Sequence, residues 1–365
     1  MSTQQNKKQI VTVVNKITIT SMAVNEFALF RQKNYGEDAK VLTINEIDND
    51  LKDTFSSIER CSFRKNARKF IKILLDSSKD IIHIHQVRSG LMLVLLTKIL
   101  PRRFNIVISV HNNFTKFNPI SRLIILFNAS SSKAIGFGSK ASYESFPKFF
   151  KKLWKSKIYM IPNGVNIPCI DKFIVDENIT KSKNDKVELV SVGRLYTHKN
   201  HEQQLIIMAR LPDNYHLNIF GEGIIKEHLL ELIESLGISK KVTMVGLVPR
   251  TEMYRLFINA DIFIHTSKWE GMPIAVLEAM ACRLPILLSD IPPHREIEQK
   301  STDKLVCTSD DDYINSIIKY SKYSETQRDG MGERNSKIVE EFYSLDFMHR
   351  EYNKVYDNVL SPKNS

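Results

Sequence analysis

The chain's pattern predicts an α/β protein of two doubly wound, Rossmann-like domains in tandem. Short β-branched runs alternate with helical segments in units of about 30 residues, which implies parallel sheets covered by helices. The alternation lapses in a polar stretch, 171–186, and then restarts. The length, 365 residues, suits about two domains.

In the first half, strands are expected at Ile10–Val14, Lys40–Ile44, Asp80–His85, Asn105–Val110, Ala134–Phe137 and Lys157–Ile161. Helices are expected at Val24–Lys33, Arg64–Leu75, Ser89–Leu100, Ser121–Phe127 and Ala141–Phe146. Pro101 stops one of these, and Pro162-Asn163-Gly164 marks a turn. The second half repeats the pattern. Strands are expected at Val187–Val192, Leu217–Phe220, Val242–Val245, Ile262–His265 and Leu284–Leu288. Helices are expected at Glu202–Ala209, Lys226–Leu236, Arg250–Ile258, Ile274–Ala281, Asp311–Tyr320 and Phe347–Leu360. The expected domains are 1–170 and 187–340, joined by a linker at 171–186, with 341–365 a C-terminal helix crossing back to the first domain. Ligands of such folds bind at the carboxyl ends of the strands, so the cleft between the two sheets is the expected site.

Apolar residues at 42% and charged residues at 25% exclude a collagen-like, low-complexity or disordered chain. No apolar run reaches the ~20 residues a membrane-spanning helix needs; Leu91 to Leu96 is too short. The opening MSTQQNKKQ has no apolar signal core, so a cytoplasmic protein is expected. Cys61, Cys169, Cys282 and Cys307 show no metal-ligand spacing and fit a reducing compartment.

Charge is uneven. Residues 1–170 hold 27 Lys and Arg against 11 Asp and Glu, whereas 171–365 hold 25 against 30. Basic clusters lie at Arg64, Lys65, Arg68, Lys69 and Lys72, at Arg102 and Arg103, and at Lys148, Lys151, Lys152, Lys155 and Lys157. The first is interleaved with Phe70, Ile71, Leu74 and Leu75 at helical spacing, giving an amphipathic basic helix. A solvated face and an anionic membrane surface both fit. Nucleic acid fits less well, for no aromatic-interleaved basic motif accompanies the charge.

The chemistry concentrates in the second half. Gly193-Arg194, with Lys199-Asn200 behind it, follows a buried strand: the Gly admits close approach and the cations add positive charge at the strand's carboxyl end. Glu270 then ends a loop, Gly271 relaxes the turn, and Pro273 suits the first position of a helix whose N-terminus attracts anions. Glu278 lies more than a turn inside that helix. The two carboxylates therefore make no adjacent acid/base pair; they suit two parts of one elongated ligand. Glu278 is also compatible with a carboxylate merely favoured by the helix dipole. Asp310-Asp311-Asp312 stands before a helix and reads as capping. His83 and His85 share one side of a strand, but no third ligand accompanies them.

In order, Gly193-Arg194 with Lys199-Asn200, Gly221-Glu222-Gly223, Gly246, and Glu270 with Glu278 seven residues between, resemble the family 4 glycosyltransferases, retaining enzymes of the GT-B fold. The likeness is strongest over 187–300. On the first half His83 and His85, Ser109-Val110-His111, Gly138-Ser139-Lys140 and Ile161-Pro162-Asn163-Gly164-Val165 also match. The resemblance implies that Arg194 and Lys199 neutralise a donor diphosphate and that Glu278 holds the ribose. Glu270, with the backbone of Gly271 and Met272, would hold the transferred sugar. Ile274 and Ala275 would offer helix N–H groups to the distal phosphate, Gly246 and Leu247 would flank the base, and His111 would face the sugar. Three departures stand out. The loop after the first strand, Thr18-Ile19-Thr20-Ser21-Met22, lacks the family's Gly-Gly, so Thr20, Ser21 and His85 are weaker candidates for the acceptor side. Arg283 stands where the family has Gly after the helix, and Pro292-Pro293 replaces a glycine-rich turn.

The expected activity is transfer of a hexose-type sugar from a nucleoside-diphosphate donor, UDP-linked, to a saccharide acceptor that is lipid-linked, in bacterial surface polysaccharide biosynthesis. The enzyme would be peripheral at the inner face of the cell membrane, held there by its basic first domain. No metal or other cofactor is expected, because two cations and a helix dipole can meet the charge growing on the leaving group; one such preorganised donor is worth about 3–4 kcal/mol. The rival expectations are a sugar-nucleotide epimerase of similar fold and a non-catalytic sugar-nucleotide-binding subunit.

Overall fold

A computed structural model describes residues 10–14, 39–43, 60–62, 67–76, 81–85, 87–100, 104–176 and 186–361. The chain divides into two units, one of residues 1–164 with 345–365 and the other of Val165–Ser344.

In the first unit, β1 (Ile10–Val14), β2 (Ala39–Thr43), β3 (Arg60–Ser62), β4 (Ile81–Ile84), β5 (Asn105–Val110), β6 (Ala134–Phe137) and β7 (Ile158–Met160) form one parallel sheet in the order β3-β2-β1-β4-β5-β6-β7. Helices α1 (Ala67–Asp76), α2 (Val87–Ile99), α3 (Pro119–Ser131), α4 (Lys140–Glu144) and α5 (Lys148–Leu153) lie between strands. Strands β4, β5 and β6 are near-continuous apolar runs because both faces are covered. On one face Ile82, Ile84, Ile106, Ile108, Val110, Ile135 and Phe137 pack with Leu93 and Val94 of α2, Ile125 and Ala129 of α3, and Trp154. The alternate residues Ile81, Val107 and Ala134 pack instead with Leu345, Met348, Tyr352, Val355 and Tyr356 of the C-terminal helix, Leu345–Leu360. That helix docks closely because β6 carries Gly136, where a Cβ would lie 2.5 Å from the Tyr352 hydroxyl.

In the second unit, β8 (Val187–Val192), β9 (Tyr215–Phe220), β10 (Val242–Gly246), β11 (Ile262–His265), β12 (Ile286–Ser289) and β13 (Val306–Cys307) form a parallel sheet in the order β10-β9-β8-β11-β12-β13. Its helices are α6 (Ile167–Asp176), α7 (His201–Arg210), α8 (Lys226–Ser235), α9 (Arg250–Asn259), α10 (Ile274–Ala281), α11 (Pro292–Glu298), α12 (Asp310–Ser321) and α13 (Glu325–Phe342). The strand order reverses between β8 and β11, which makes the carboxyl ends of those two strands the place where a ligand fits.

Several expectations are adjusted. The expected linker at 171–186 opens inside α6, whose Ile170, Phe173 and Ile174 pack into the second unit's core, so the apolar period runs on past Asp171 and Lys172. Pro292-Pro293 is the first turn of α11, where the missing N–H costs nothing. Helix α13 was not expected, because Gly330 and Gly332 interrupt its pattern. Gly332 is there for packing: a Cβ would lie 1.9 Å from the carbonyl oxygen of Arg283. Asp310, Asp311 and Asp312 form the first turn of α12, behind Ser309, whose hydroxyl accepts from the Asp312 amide. The expected helix Val24–Lys33, together with Thr20, Ser21, Arg64, Lys65, Arg102 and Arg103, lies outside the described residues.

Candidate functional site

The loop leaving β8 bends at Gly193, whose amide donates to the Phe220 carbonyl at 2.9 Å. It is braced by the loop after β9. Gly221, at φ +140°, and Gly223 approach so closely that a Cβ on either would lie about 2 Å from the carbonyls of Gly193 and Leu195 (1.9 and 2.2 Å). The role of Gly221-Glu222-Gly223 is thus to support the Gly193 loop from behind. The chain then makes a tight turn at Thr197–Lys199 and passes Asn200 in the left-handed region.

The loop leaving β11 is tied to this turn. The Lys268 amide donates to the His198 carbonyl at 2.8 Å, the Thr266 hydroxyl donates to the Asn200 carbonyl at 2.9 Å, and the His198 ring stacks on Trp269 at 4.3 Å. This brings Glu270 against Lys199, Nζ to Oε1 at 2.6 Å. The same oxygen accepts from the Ser267 hydroxyl at 2.7 Å and from His265 Nε2 at 3.1 Å. Burial alone would push the Glu270 carboxyl up, but the His265 and Lys199 donors outweigh it and hold the group well below the usual carboxylate range. Burial keeps His265 neutral. Behind it, His294 is pushed down to about 3, mainly by burial, while its Nδ1 donates to the Ser289 carbonyl at 2.8 Å. Ser289 in turn donates to the Ser267 carbonyl at 2.6 Å, and Tyr313 donates to the His265 carbonyl at 2.9 Å. Glu270 is thus the end of a chain of hydrogen bonds rooted in β12 and α12.

After Glu270 come Gly271 and the buried Met272, then Pro273, and Ile274 and Ala275 open α10. Glu278, on the second turn, is buried and ion-paired with Arg250, the first residue of α9. Burial raises the Glu278 pKa, against Arg250 and a hydrogen bond from Tyr254. Gly246 ends β10 at φ +84°, a conformation open to glycine, and Leu247 beyond it is exposed. Arg194 is exposed, its guanidinium 5.2 Å from the centre of the Tyr196 ring. The second unit therefore gathers Gly193, Arg194, Lys199, Gly246, Leu247, Glu270, Gly271, Met272, Ile274, Ala275 and Glu278 at the carboxyl end of its sheet, and it can offer cations, a helix N-terminus and two carboxyl groups in different settings.

The first unit has its own polar cluster at the carboxyl ends of β4 and β5. His111 Nδ1 donates to Asn163 Oδ1 at 2.7 Å, which leaves Nε2 to accept from His85 Nδ1 at 3.3 Å. Burial lowers the His111 pKa, so the imidazole is neutral. The His85 ring stacks on His111 and sits 4.0 Å from the His83 ring. His83 is bonded to the Tyr356 hydroxyl and to Ser109, each at 2.7 Å. Ser109 meets the Tyr352 hydroxyl as well. Among the described residues no group of three or more His, Cys, Asp or Glu is placed to hold a metal ion, and His83 and His85 are occupied as hydrogen-bonding groups.

Residues 173–337 match the family model described as "Glycosyl transferases group 1". That match lies within the second unit, Val165–Ser344. Among curated proteins, the chain is similar to the N-acetylgalactosamine-N,N'-diacetylbacillosaminyl-diphospho-undecaprenol 4-alpha-N-acetylgalactosaminyltransferase of Campylobacter jejuni, 27% identical over 50% of this chain and 48% of that protein. The match spans about half of that relative's length. It is also similar to the UDP-Gal:alpha-D-GlcNAc-diphosphoundecaprenol alpha-1,3-galactosyltransferase of Escherichia coli, 25% identical over 70% of each chain. Among solved structures, Anabaena HepE in complex with UDP-glucose superposes with a TM-score of 0.76 at 15% identity, covering 96% of this chain and 100% of that one. The apo lipopolysaccharide outer core galactosyltransferase WaaB superposes at 0.70 with 18% identity, covering 95% and 98%. The fold is GT-B.

Within the second unit, sequence reasoning missed Arg250, which nothing but its position just after Pro249 distinguishes in the sequence. It also missed His265 and Ser267, whose role is to hold Glu270. In the first unit it named Asn163 as part of a turn and not as the partner of His111.

Proposed function

We propose that this chain is a retaining glycosyltransferase that moves a hexose-type sugar from a UDP-sugar to a lipid-linked saccharide acceptor in bacterial surface polysaccharide assembly. The observation that carries the reading is the Lys199–Glu270 pair beside the N-terminus of α10, at the switch point of the second sheet. In transfer, negative charge grows on the departing nucleoside diphosphate. Arg194, Lys199 and the free N–H groups at Ile274 and Ala275 meet that charge without a metal ion. Glu270, a fixed carboxylate, accepts hydroxyls of the transferred sugar, and Glu278 accepts those of the ribose. No carboxylate is assigned as a nucleophile, so attack proceeds on the face the leaving phosphate departs from. His111, neutral and oriented by Asn163, serves the sugar side. The names of the two bacterial relatives support the lipid-linked acceptor, and the HepE complex supports UDP. The basic first half would hold the enzyme peripherally at the inner face of the cell membrane. Among the described residues no helix is long and apolar enough to cross it.

Calorimetry against UDP-, GDP-, TDP- and ADP-sugars, with and without a chelator, tests this. Micromolar binding of a UDP-sugar that survives chelation and disappears in Glu278→Ala is the expected result. Binding of none of them overturns the donor site. Binding without transfer to any lipid-linked saccharide would return the chain to the non-catalytic subunit.

A further inference from the structure

We infer that His201, the first residue of α7, takes up a proton from solvent when the nucleoside diphosphate binds, and that its charged ring then fixes the Gly193-Arg194 loop. The inference rests on the donor site proposed above and adds a positioning residue beneath that loop.

Three side chains that the proposed mechanism does not use run in a line from the sheet to the loop. Ser191 on β8, with Gln204 and His201 on α7, are all at or below 1% exposure. Gln204 Nε2 donates to Ser191 Oγ at 2.9 Å, so its oxygen turns to the histidine and accepts from His201 Nδ1 at 3.2 Å. The ring proton is thereby held on Nδ1. Nε2 is left as a buried lone pair with no hydrogen-bond partner among the described residues. Such an orphan costs stability and calls for a reason.

Its position supplies one. A Cβ added to Gly193 would stand 3.5 Å from the Lys199 stem and 3.7 Å from His201 Nε2. The lone pair therefore lies under the backbone where the diphosphate is to be met. The acceptor on that loop is the Arg194 carbonyl, which already takes the Tyr196 amide at 2.8 Å. A carbonyl facing a bare Nε2 gains nothing; facing Nε2–H it gains a hydrogen bond. Only the charged ring satisfies Gln204 and Arg194 at once.

The free protein withholds that proton. Burial pushes His201 down to about 4, with His265 and Lys199 acting in the same sense, against Gln204 and the Arg194 backbone. The positive end of α7 opposes protonation as well. The ionisable groups facing the ring are Arg194 and Lys199 of the loop and His265 of β11, while α7 and β8 present the uncharged Gln204 and Ser191. Glu270 does not answer the ring, being bound to Lys199 and His265. A diphosphate on this loop brings the missing negative charge. At about 7 Å and an effective dielectric of about 20, each unit of it raises the proton affinity of the ring by about tenfold or more. Two such charges carry the imidazole towards neutral pH.

Calorimetry of the full chain with UDP-glucose, UDP-galactose and UDP-N-acetylglucosamine at pH 5.5, in buffers of low and high ionisation enthalpy, counts the protons. These diesters avoid the terminal phosphate of UDP, which titrates near the same pH. Glu278 can release a proton on binding, so the count is read against His201→Gln. The wild type should take up about one proton more than His201→Gln, and the difference should vanish by pH 8.5. Its affinity should fall about tenfold or more over that range beyond any fall in the variant. Gln204→Glu sets a carboxylate on Nδ1 and charges the ring beforehand, so it should take up about one proton fewer than wild type and hold its affinity to higher pH. A merely structural histidine would lower affinity or melting temperature without moving the proton count. Equal counts in wild type and His201→Gln overturn the inference and leave the donor site standing, as does an unchanged count in Gln204→Glu. Binding of none of the three sugars overturns the donor site and this inference with it.

Discussion

Glu270 and Glu278 stand eight residues apart in the sequence and in opposite electrostatic settings. Glu270, on a loop, has an ammonium, a hydroxyl and an imidazole converging on one oxygen, and its carboxyl is held far down. Glu278, inside α10, is fully surrounded, has Arg250 as its cation, and its carboxyl is pushed up. The protein completes the first carboxylate itself. The second is answered by Arg250 and Tyr254 while burial pushes it up. One group is a fixed anchor; the other, on the proposed function, is a socket for the ribose.

Lys199→Ala strikes the anchor and should have the largest effect. Transfer should fall by a factor of about 10²–10³, the usual loss for one preorganised donor facing a leaving group. Stability should fall too, by roughly 3 kcal/mol, because a buried carboxylate loses its cation. Adding Glu270→Gln should recover the melting temperature and leave transfer absent; recovery of both would mean that Lys199 matters only as a structural partner.

Arg250→Gln strikes the socket. The Glu278 carboxyl is already raised by burial, and losing Arg250 raises it further. On the proposed ribose role, the variant should therefore bind UDP about tenfold more weakly at the acidic end of the range than at the alkaline end, since only a carboxylate would accept both ribose hydroxyls. The groups around Glu278 are Arg250 and Tyr254 on α9 and Cys282 on its own helix, with Arg283 and Asp171 beyond; Cys282, raised well above its ordinary value, stays neutral through this range. Calorimetry at pH 6 and pH 8 reads the difference. An equal loss at both values would show that Arg250 acts by shape alone.

The smallest effect tests the end of α10. Arg283 closes that helix at φ +62°, with the Leu284 amide donating back to the Ala279 carbonyl at 3.1 Å. Arg283→Gly relieves about 1 kcal/mol of backbone strain. It gives up exposed ion pairs to Glu333 and Asp171, worth less. A melting temperature higher by one or two degrees is the expected balance, read by calorimetry.

The parts that sequence made legible are those whose physics is local. Apolar runs such as Ile262–His265 and the Gly-x-Pro turn before α10 announce a strand, a helix N-terminus and the positions of Glu270 and Glu278 between them. The cation that answers Glu278 is not local: Arg250 comes from another crossover, and an arginine opening a helix looks like any solvated one. Likewise the His265–Ser267–Glu270 group is formed by the folding of one short loop. Helix α13 was hidden by its two glycines, of which Gly332 is placed for the backbone of Arg283, a reason that exists only once the end of α10 is beside it.

The C-terminal helix sets the order in which the chain can be finished during synthesis. Ile81, Val107, Ala134 and Ile161 have leaving-the-ribosome times far ahead of Leu345, Met348, Tyr352, Val355 and Tyr356, which pack on them. At roughly 5–20 residues per second the wait is about 10–55 s. The second unit, whose residues are contiguous, is complete before the first is sealed. A nascent chain halted at Ser344 would hold a finished second unit and a sheet with one bare side, the natural place for a chaperone to stand until Leu345–Leu360 emerges.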